Sequence, residues 1–197
     1  IFPAMLDHSC QVQRHPLSQR GHDLYETPDV AVHALMRVET LPSVIWEPAC
    51  GPGRIVKILR GAGRLVYATD LIDYKLEDAE GGIDFLTAPA PSFAVGAIVT
   101  NPPFQLAAEF VARALLMGIP KVVMLLRLAF LESERRSSIL ECGLLRRVYV
   151  FRKRLPMMHR AGWEGRKANS GMAFAWFIWE TGSPQDYYET RRISWER

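Results

Sequence analysis

Val44-Ile45-Trp46-Glu47-Pro48-Ala49-Cys50-Gly51-Pro52-Gly53-Arg54 is the stretch on which the fold turns. It opens with a short apolar, β-branched run and passes through a turn built on Gly51 and Gly53. Behind the turn, Ile55, Ile58 and Leu59 recur at helical spacing and the stripe ends in Gly61-Ala62-Gly63. A run of this kind bounded by turn residues reads as a buried strand, and the stripe as one face of a helix with a glycine stop. Strand, glycine turn and helix in that order form the nucleotide-binding opening of an α/β fold.

The following residues narrow the ligand. Leu65 to Thr69 reads as the next strand and delivers Asp70, with Leu71 beside it, about 20 residues beyond the turn, where an acid suits the two hydroxyls of a ribose. Val56 stands where a dinucleotide fingerprint needs its third glycine, which argues against a pyrophosphate. Glu47, at the strand end, repels a phosphate and attracts a cation. S-adenosylmethionine has no phosphate and carries an ammonium and a sulfonium, so the acid favours that cofactor. Gly81-Gly82-Ile83-Asp84-Phe85 supplies a third tip: Asp84 can accept from an adenine amine with Phe85 near the ring, or the pair can be a turn aspartate and a core phenylalanine.

A fourth tip is Ala97-Ile98-Val99-Thr100-Asn101-Pro102-Pro103-Phe104. The prolines hold Asn101 extended at a strand's end, out of reach of the helix that follows. Its amide oxygen, bare backbone carbonyls and the Phe104 ring together make a receptor for a flat molecule bearing an amino group.

The totals are those of one globular domain: 197 residues, 49% apolar, 23% charged. A net charge of +3 does not by itself imply a polyanion partner. Cys10, Cys50 and Cys142 match no metal spacing and point to a reduced, cytoplasmic setting, with Cys50 a packing residue. The scattered histidines suggest no metal site. The longest apolar run, Val122 to Leu131, is interrupted by Arg127 and is too short to span a bilayer. Charge does gather late: Arg146, Arg147, Arg152, Lys153, Arg154 and Arg160 occur with no acid among them, followed by Trp163, Arg166 and Lys167. A basic stretch with an interleaved aromatic suits a nucleic-acid backbone.

The chain divides into an arm over residues 1–22, a domain over 23–180 and a polar tail over 181–197. Thr27 and Pro28 read as N-cap and first residue of a helix to about Val38. Lys121 to Leu131 reads as a central strand, Ser133 to Cys142 as a helix, and Arg147–Phe151 and Met172–Trp179 as two late strands. The early alternation of strands and helices, with no room for a helix between the last two strands, predicts a mainly parallel sheet with an antiparallel edge hairpin.

Taken together, Glu47 to Gly53, Asp70, Asp84-Phe85 and Asn101-Pro102-Pro103-Phe104 resemble the class I S-adenosylmethionine-dependent amino-methyltransferases, with a Rossmann-like fold. The cofactor turn precedes Asn-Pro-Pro-Phe, as in DNA adenine-N6 enzymes of the gamma arrangement. Tyr25-Glu26-Thr27-Pro28 and Trp176-Phe177-Ile178-Trp179 are similar to the entry and final strand of compact phage and prophage members. The resemblance implies that Tyr25, Thr27 and Pro28 close over the methionine part of the cofactor, and that Glu47, Pro48, Ala49, Cys50, Gly51 and Gly53 hold its amino-acid end. Asp70 would take its ribose, Asp84 and Phe85 its adenine. It further implies that Asn101 and Pro102, with Pro103, bind the target amine while Phe104 stacks on the base. Phe in place of Tyr at the fourth motif position also occurs in enzymes acting on ribosomal guanine N2, so an RNA base is the alternative substrate. A catalytically silent nucleic-acid-binding module of the same fold is the alternative from another class.

Overall fold

The structure, a computed structural model, describes residues 26–156 and 171–196. Its centre is one eight-stranded sheet. In chain order the elements are α1 (Asp29–Val38), β1 (Val44–Glu47), α2 (Arg54–Gly61), β2 (Leu65–Thr69), β3 (Ala79–Glu80), β4 (Ala97–Thr100), α3 (Ala107–Leu116), β5 (Lys121–Arg127), α4 (Ser137–Leu140), β6 (Leu145–Phe151), β7 (Phe174–Glu180) and β8 (Glu189–Ile193). The strand order is β3-β2-β1-β4-β5-β7-β6-β8. Strands β3 to β5 are parallel, and β7 inserts antiparallel between β5 and β6. The expected architecture is therefore present.

Side chains of the central strands alternate between two buried cores. Val123 and Leu125 of β5 face a core shared with α1 and α2, while Val122, Met124 and Leu126 face a second core shared with α3. A strand covered on both faces must be apolar throughout, which is why β5 reads as a continuous run. The indole N–H groups buried in these layers are all satisfied: Trp46 donates to Thr69 Oγ1, Trp176 to the Ala31 carbonyl and Trp179 to the Ile139 carbonyl.

Four local expectations change. Strand β5 stops at Arg127 and Leu128–Leu131 is a 3-10 turn, with the Leu128 N–H still donating to the Ala173 carbonyl beside β7. The expected helix over Ser133–Cys142 shrinks to a 3-10 turn and the four-residue α4; Ser133 sits at φ +110°, outside helical space. Helix α1 begins at Asp29 with Pro28 in the N-cap position, where no side chain accepts a cap bond, and Thr27 is buried one residue before it. Finally, the polar tail contributes β8, an exposed strand pairing in parallel with β6. Its Glu-Thr-Arg-Arg sequence lacks strand-like alternation because only its backbone is committed, and charged side chains suit a sheet edge.

At the N-terminal end of β5, five polar side chains close on one another. Lys121 Nζ lies 2.7 Å from Glu39 Oε1 and 3.0 Å from Glu180. Arg147 lies 2.9 Å from Glu39 and 2.7 Å from Glu180, and the Tyr149 hydroxyl donates to Glu39 at 2.8 Å. Burial would raise the Glu39 carboxyl, but the bonds from Arg147, Lys121 and Tyr149 outweigh it and hold it below the ordinary value.

Candidate functional site

All the sequence-derived tips within the described residues lie at the other end of the sheet, beyond the C-terminal ends of the parallel strands. In open α/β sheets this is where ligands bind. Strands β1 and β4 are hydrogen-bonded neighbours, with Ile45 opposite Ala97 and Trp46 opposite Ile98. The glycine turn and Asn-Pro-Pro-Phe therefore emerge side by side.

The turn after β1 is tied to β2 on both sides. The Cys50 N–H donates to the Thr69 carbonyl at 3.0 Å, and the Gly51 N–H donates to Asp70 Oδ2 at 2.9 Å. The other Asp70 oxygen accepts from Ile72 N–H at 2.8 Å. Asp70 thus fixes the turn, and each oxygen retains a lone pair for a ligand hydroxyl. Burial nevertheless raises its pKa, with the backbone N–H bonds offsetting part of the effect. Leu71 follows as a partly exposed neighbour. Gly53 sits at φ +86°, which demands glycine; a Cβ there would also fall 2.6 Å from Leu76 Cδ2 and push that flexible side chain aside. Cys50 is buried and its thiol is pushed up to about 12, by burial first and then by Glu47 and Asp70, which leaves it neutral and unsuited to nucleophilic work.

Glu47 carries the strongest electrostatic signal. It is 0% exposed, and neither carboxyl oxygen has a hydrogen bond of ordinary geometry; the buried Thr100 hydroxyl also lacks one. Burial drives the Glu47 pKa well above the carboxyl range, and Asp70 pushes it further. Thr100 and the Ala49 N–H lie close enough to temper this, but geometrically neither completes a bond. Native interiors seldom leave a carboxyl so placed, and an incoming ammonium would satisfy it.

Asp84 accepts from the Leu86 N–H at 3.0 Å and caps its own turn, while the Ile83 N–H donates to the Asp70 carbonyl and brings this loop to the β2 tip. Phe85 turns inward. Its ring is buried and packs against Trp46 at 5.1 Å and Phe110 at 4.8 Å, which makes it a core residue that anchors the Asp84 loop.

At the β4 tip Asn101 is half-buried and Pro102 fully buried, and the Leu106 N–H is taken by the Pro103 carbonyl, leaving that of Pro102 outside the turn. The Phe104 ring is not open on all sides: the Arg127 guanidinium carbon lies 4.4 Å from its centroid and the Phe174 ring 5.5 Å away. Sequence reasoning missed both neighbours, although a lone arginine inside the longest apolar run was the visible signal for the first.

Arg152, Lys153 and Arg154 follow β6 at the same end of the sheet and are exposed, with Lys153 paired to Glu196 at 2.8 Å. Tyr25, Arg160, Trp163, Arg166 and Lys167 lie outside the described residues. Among the described residues, no helix is long and apolar enough to cross a membrane, and no cluster of His, Cys, Asp and Glu is arranged to hold a metal ion.

No family model and no curated protein sequence matches the chain. Solved structures do. A putative class I S-adenosylmethionine-dependent methyltransferase from Listeria monocytogenes superposes with a TM-score of 0.59 at 14% identity, over 85% of this chain and 65% of that one. The 23S rRNA methyltransferase ErmE gives 0.55 at 15% identity over 82% and 71%. The M protein of the type I restriction enzyme EcoKI gives 0.58 at 13% identity over 86% and 49%. The chain therefore spans about two thirds of the first of these structures and about half of the last. Strand order, the antiparallel β7 and these superpositions together show that the chain has the Rossmann-like fold of the class I S-adenosylmethionine-dependent methyltransferases.

Proposed function

We propose that this chain is an S-adenosylmethionine-dependent N-methyltransferase whose substrate is the N6 amine of adenine in DNA. The observation that carries the reading is the pairing of β1 with β4, which sets the Glu47 turn beside Asn101-Pro102-Pro103-Phe104. The residues fit the cofactor: Glu47 offers a buried carboxyl with no hydrogen bond of its own, which gives up its proton to pair with an ammonium, and Asp70 has spare lone pairs for ribose hydroxyls. Asp84, held at the β2 tip, is the acceptor for the cofactor's adenine amine, and the backbone of Ala49 to Gly53 completes the enclosure with Thr27 and Pro28, whose neighbours Glu26 and Asp29 both pair with Arg54. When bound, the cofactor supplies an electrophilic methyl group on a sulfonium.

The chain's own task is to make a poor nucleophile reactive. An exocyclic aromatic amine has its lone pair delocalised into the ring. The Asn101 side-chain oxygen and the Pro102 carbonyl each accept one N–H, which favours a pyramidal nitrogen with its lone pair turned towards the methyl donor. Asparagine has no useful basicity, so its contribution is position and electrostatics, and the proton leaves to water after transfer. In a duplex the amine is hidden by pairing, so the base must be extruded, with Phe104 as its stacking surface. The exposed Arg152 and Arg154 after β6, at the same end of the sheet, support a polyanionic substrate.

The test is incubation with labelled cofactor and duplex DNA, single-stranded DNA, RNA or protein extract, followed by mass spectrometry of the modified nucleoside or residue. N6-methyladenine in DNA is expected. Label confined to RNA, as N6-methyladenine or N2-methylguanine, overturns the DNA assignment, and label in none of them overturns the reading.

A further inference from the structure

Arg127 ends β5, one strand beyond the Asn101 tip, and the bond from Leu128 N–H to the Ala173 carbonyl pins that end of the strand to β7. Its guanidinium carbon lies 4.4 Å above the Phe104 ring, and Phe174, its register partner on β7, touches the same ring. Arg127 Nε is buried without a hydrogen-bond partner, and among the described residues no carboxylate pairs with this cation. At the other end of the sheet, by contrast, Lys121 and Arg147 each pair with two acids. Cation–π attraction recovers only part of what the buried Nε loses.

Stacking uses the flat face of a guanidinium and leaves its N–H edge for ligands in the plane, where the fork matches two oxygens of a phosphate. We propose that Arg127 is a substrate-contacting residue: stacked on Phe104, it donates to the phosphodiester beside the target base. The proposal rests on the nucleic-acid reading above. It gives Arg127 two linked contributions, backing the ring that receives the base and fixing the backbone of the same nucleotide.

The test uses the full chain, a fluorescent duplex oligonucleotide containing adenine, and S-adenosylhomocysteine to prevent turnover, with affinity measured across a series of salt concentrations. Replacing one phosphate contact lowers the slope of log K against log salt by about 1. Arg127→Met is expected to weaken binding about tenfold and to reduce the slope by about 1. Arg127→Lys is expected to keep the slope while losing part of the affinity, because lysine keeps the charge without the stacked fork. An unchanged slope in Arg127→Met, even with slower turnover, overturns the phosphate contact and leaves Arg127 a support for the ring. If the wild-type chain binds S-adenosylhomocysteine but no oligonucleotide at any salt concentration, the nucleic-acid reading falls and this proposal with it. Should Arg127→Met not fold, Arg127→Gln is read by the same criteria.

Discussion

Glu39 and Glu47 are the same residue type, shut away from solvent at opposite ends of one sheet, and their carboxyls move in opposite directions. Both suffer the burial that penalises a charge. Around Glu39 the chain supplies Arg147, Lys121 and Tyr149, and the charge is held. Around Glu47 it supplies a neighbouring acid and no hydrogen bond of ordinary geometry. On the reading proposed above the difference separates scaffold from site: one end of the sheet pairs its charged groups, and the other leaves the Glu47 carboxyl and the Thr100 hydroxyl without hydrogen bonds, open to a ligand.

Substitutions can break this contrast at either end. The largest effect is expected for Asn101→Ala, which removes one of two acceptors for the amine and should cost about 10²–10³-fold in kcat, by analogy with loss of a single preorganised polar contact. Thermal stability and cofactor affinity, measured by melting and calorimetry, should be nearly unchanged; undiminished turnover would sink the mechanism. At the scaffold end, Glu39→Met leaves Lys121 and Arg147 to share Glu180 alone and the Tyr149 hydroxyl without its acceptor, and should cost about 3 kcal/mol of stability by denaturant titration. A loss below about 1 kcal/mol would mean that solvent reaches those cations and that the two ends differ less than proposed.

Gly53→Ala should cost about 1–2 kcal/mol through its positive φ, with weaker cofactor binding as the accompanying readout. Unaltered affinity would remove the turn from the cofactor site.

The pH dependence separates the two carboxyls by sign. Glu47 has a folded pKa above the ordinary 4.5, so the folded state holds its proton longer, and this contribution to stability is lost as pH rises from 4.5 through the folded value. Glu39 has a folded pKa below 4.5, so its contribution is present above 4.5 and is lost as pH falls through the folded value. Glu47→Gln should therefore flatten the decline on the alkaline side and leave the acid limb intact. Calorimetry in buffers of different ionisation enthalpy should detect proton release when the cofactor's ammonium meets Glu47. Binding without proton exchange would place the ammonium elsewhere.

Legibility in the sequence followed how local the cause was. Strands β2 and β4 and the turn between β1 and α2 were readable because β-branched runs, paired glycines and paired prolines fix the backbone within a few residues. Strand β8 was not, since its place depends on the free edge of β6 and all of its side chains but Ile193 remain in solvent. Nor was the Glu39 cluster: its partners Lys121, Arg147 and Glu180 are brought together only by folding. In the site, Glu47, Asp70 and Asn101 could be named because each closes a recognisable strand. Whether a carboxyl is satisfied, whether Phe85 points into the core, and whether Arg127 lies on Phe104 are properties of the third dimension.

The most direct test of the contrast is the thermal midpoint of the wild-type chain and of Glu47→Gln, each with and without S-adenosylmethionine. Saturation at about 100 times the dissociation constant should raise the wild-type midpoint by about 5–10 °C. Glu47→Gln without cofactor should melt at or above the wild type, because an uncompensated buried carboxyl has been removed, and the cofactor should no longer raise its midpoint. A Gln variant that melts several degrees lower while keeping the full cofactor shift would show that Glu47 belongs to the scaffold, and would contradict the account.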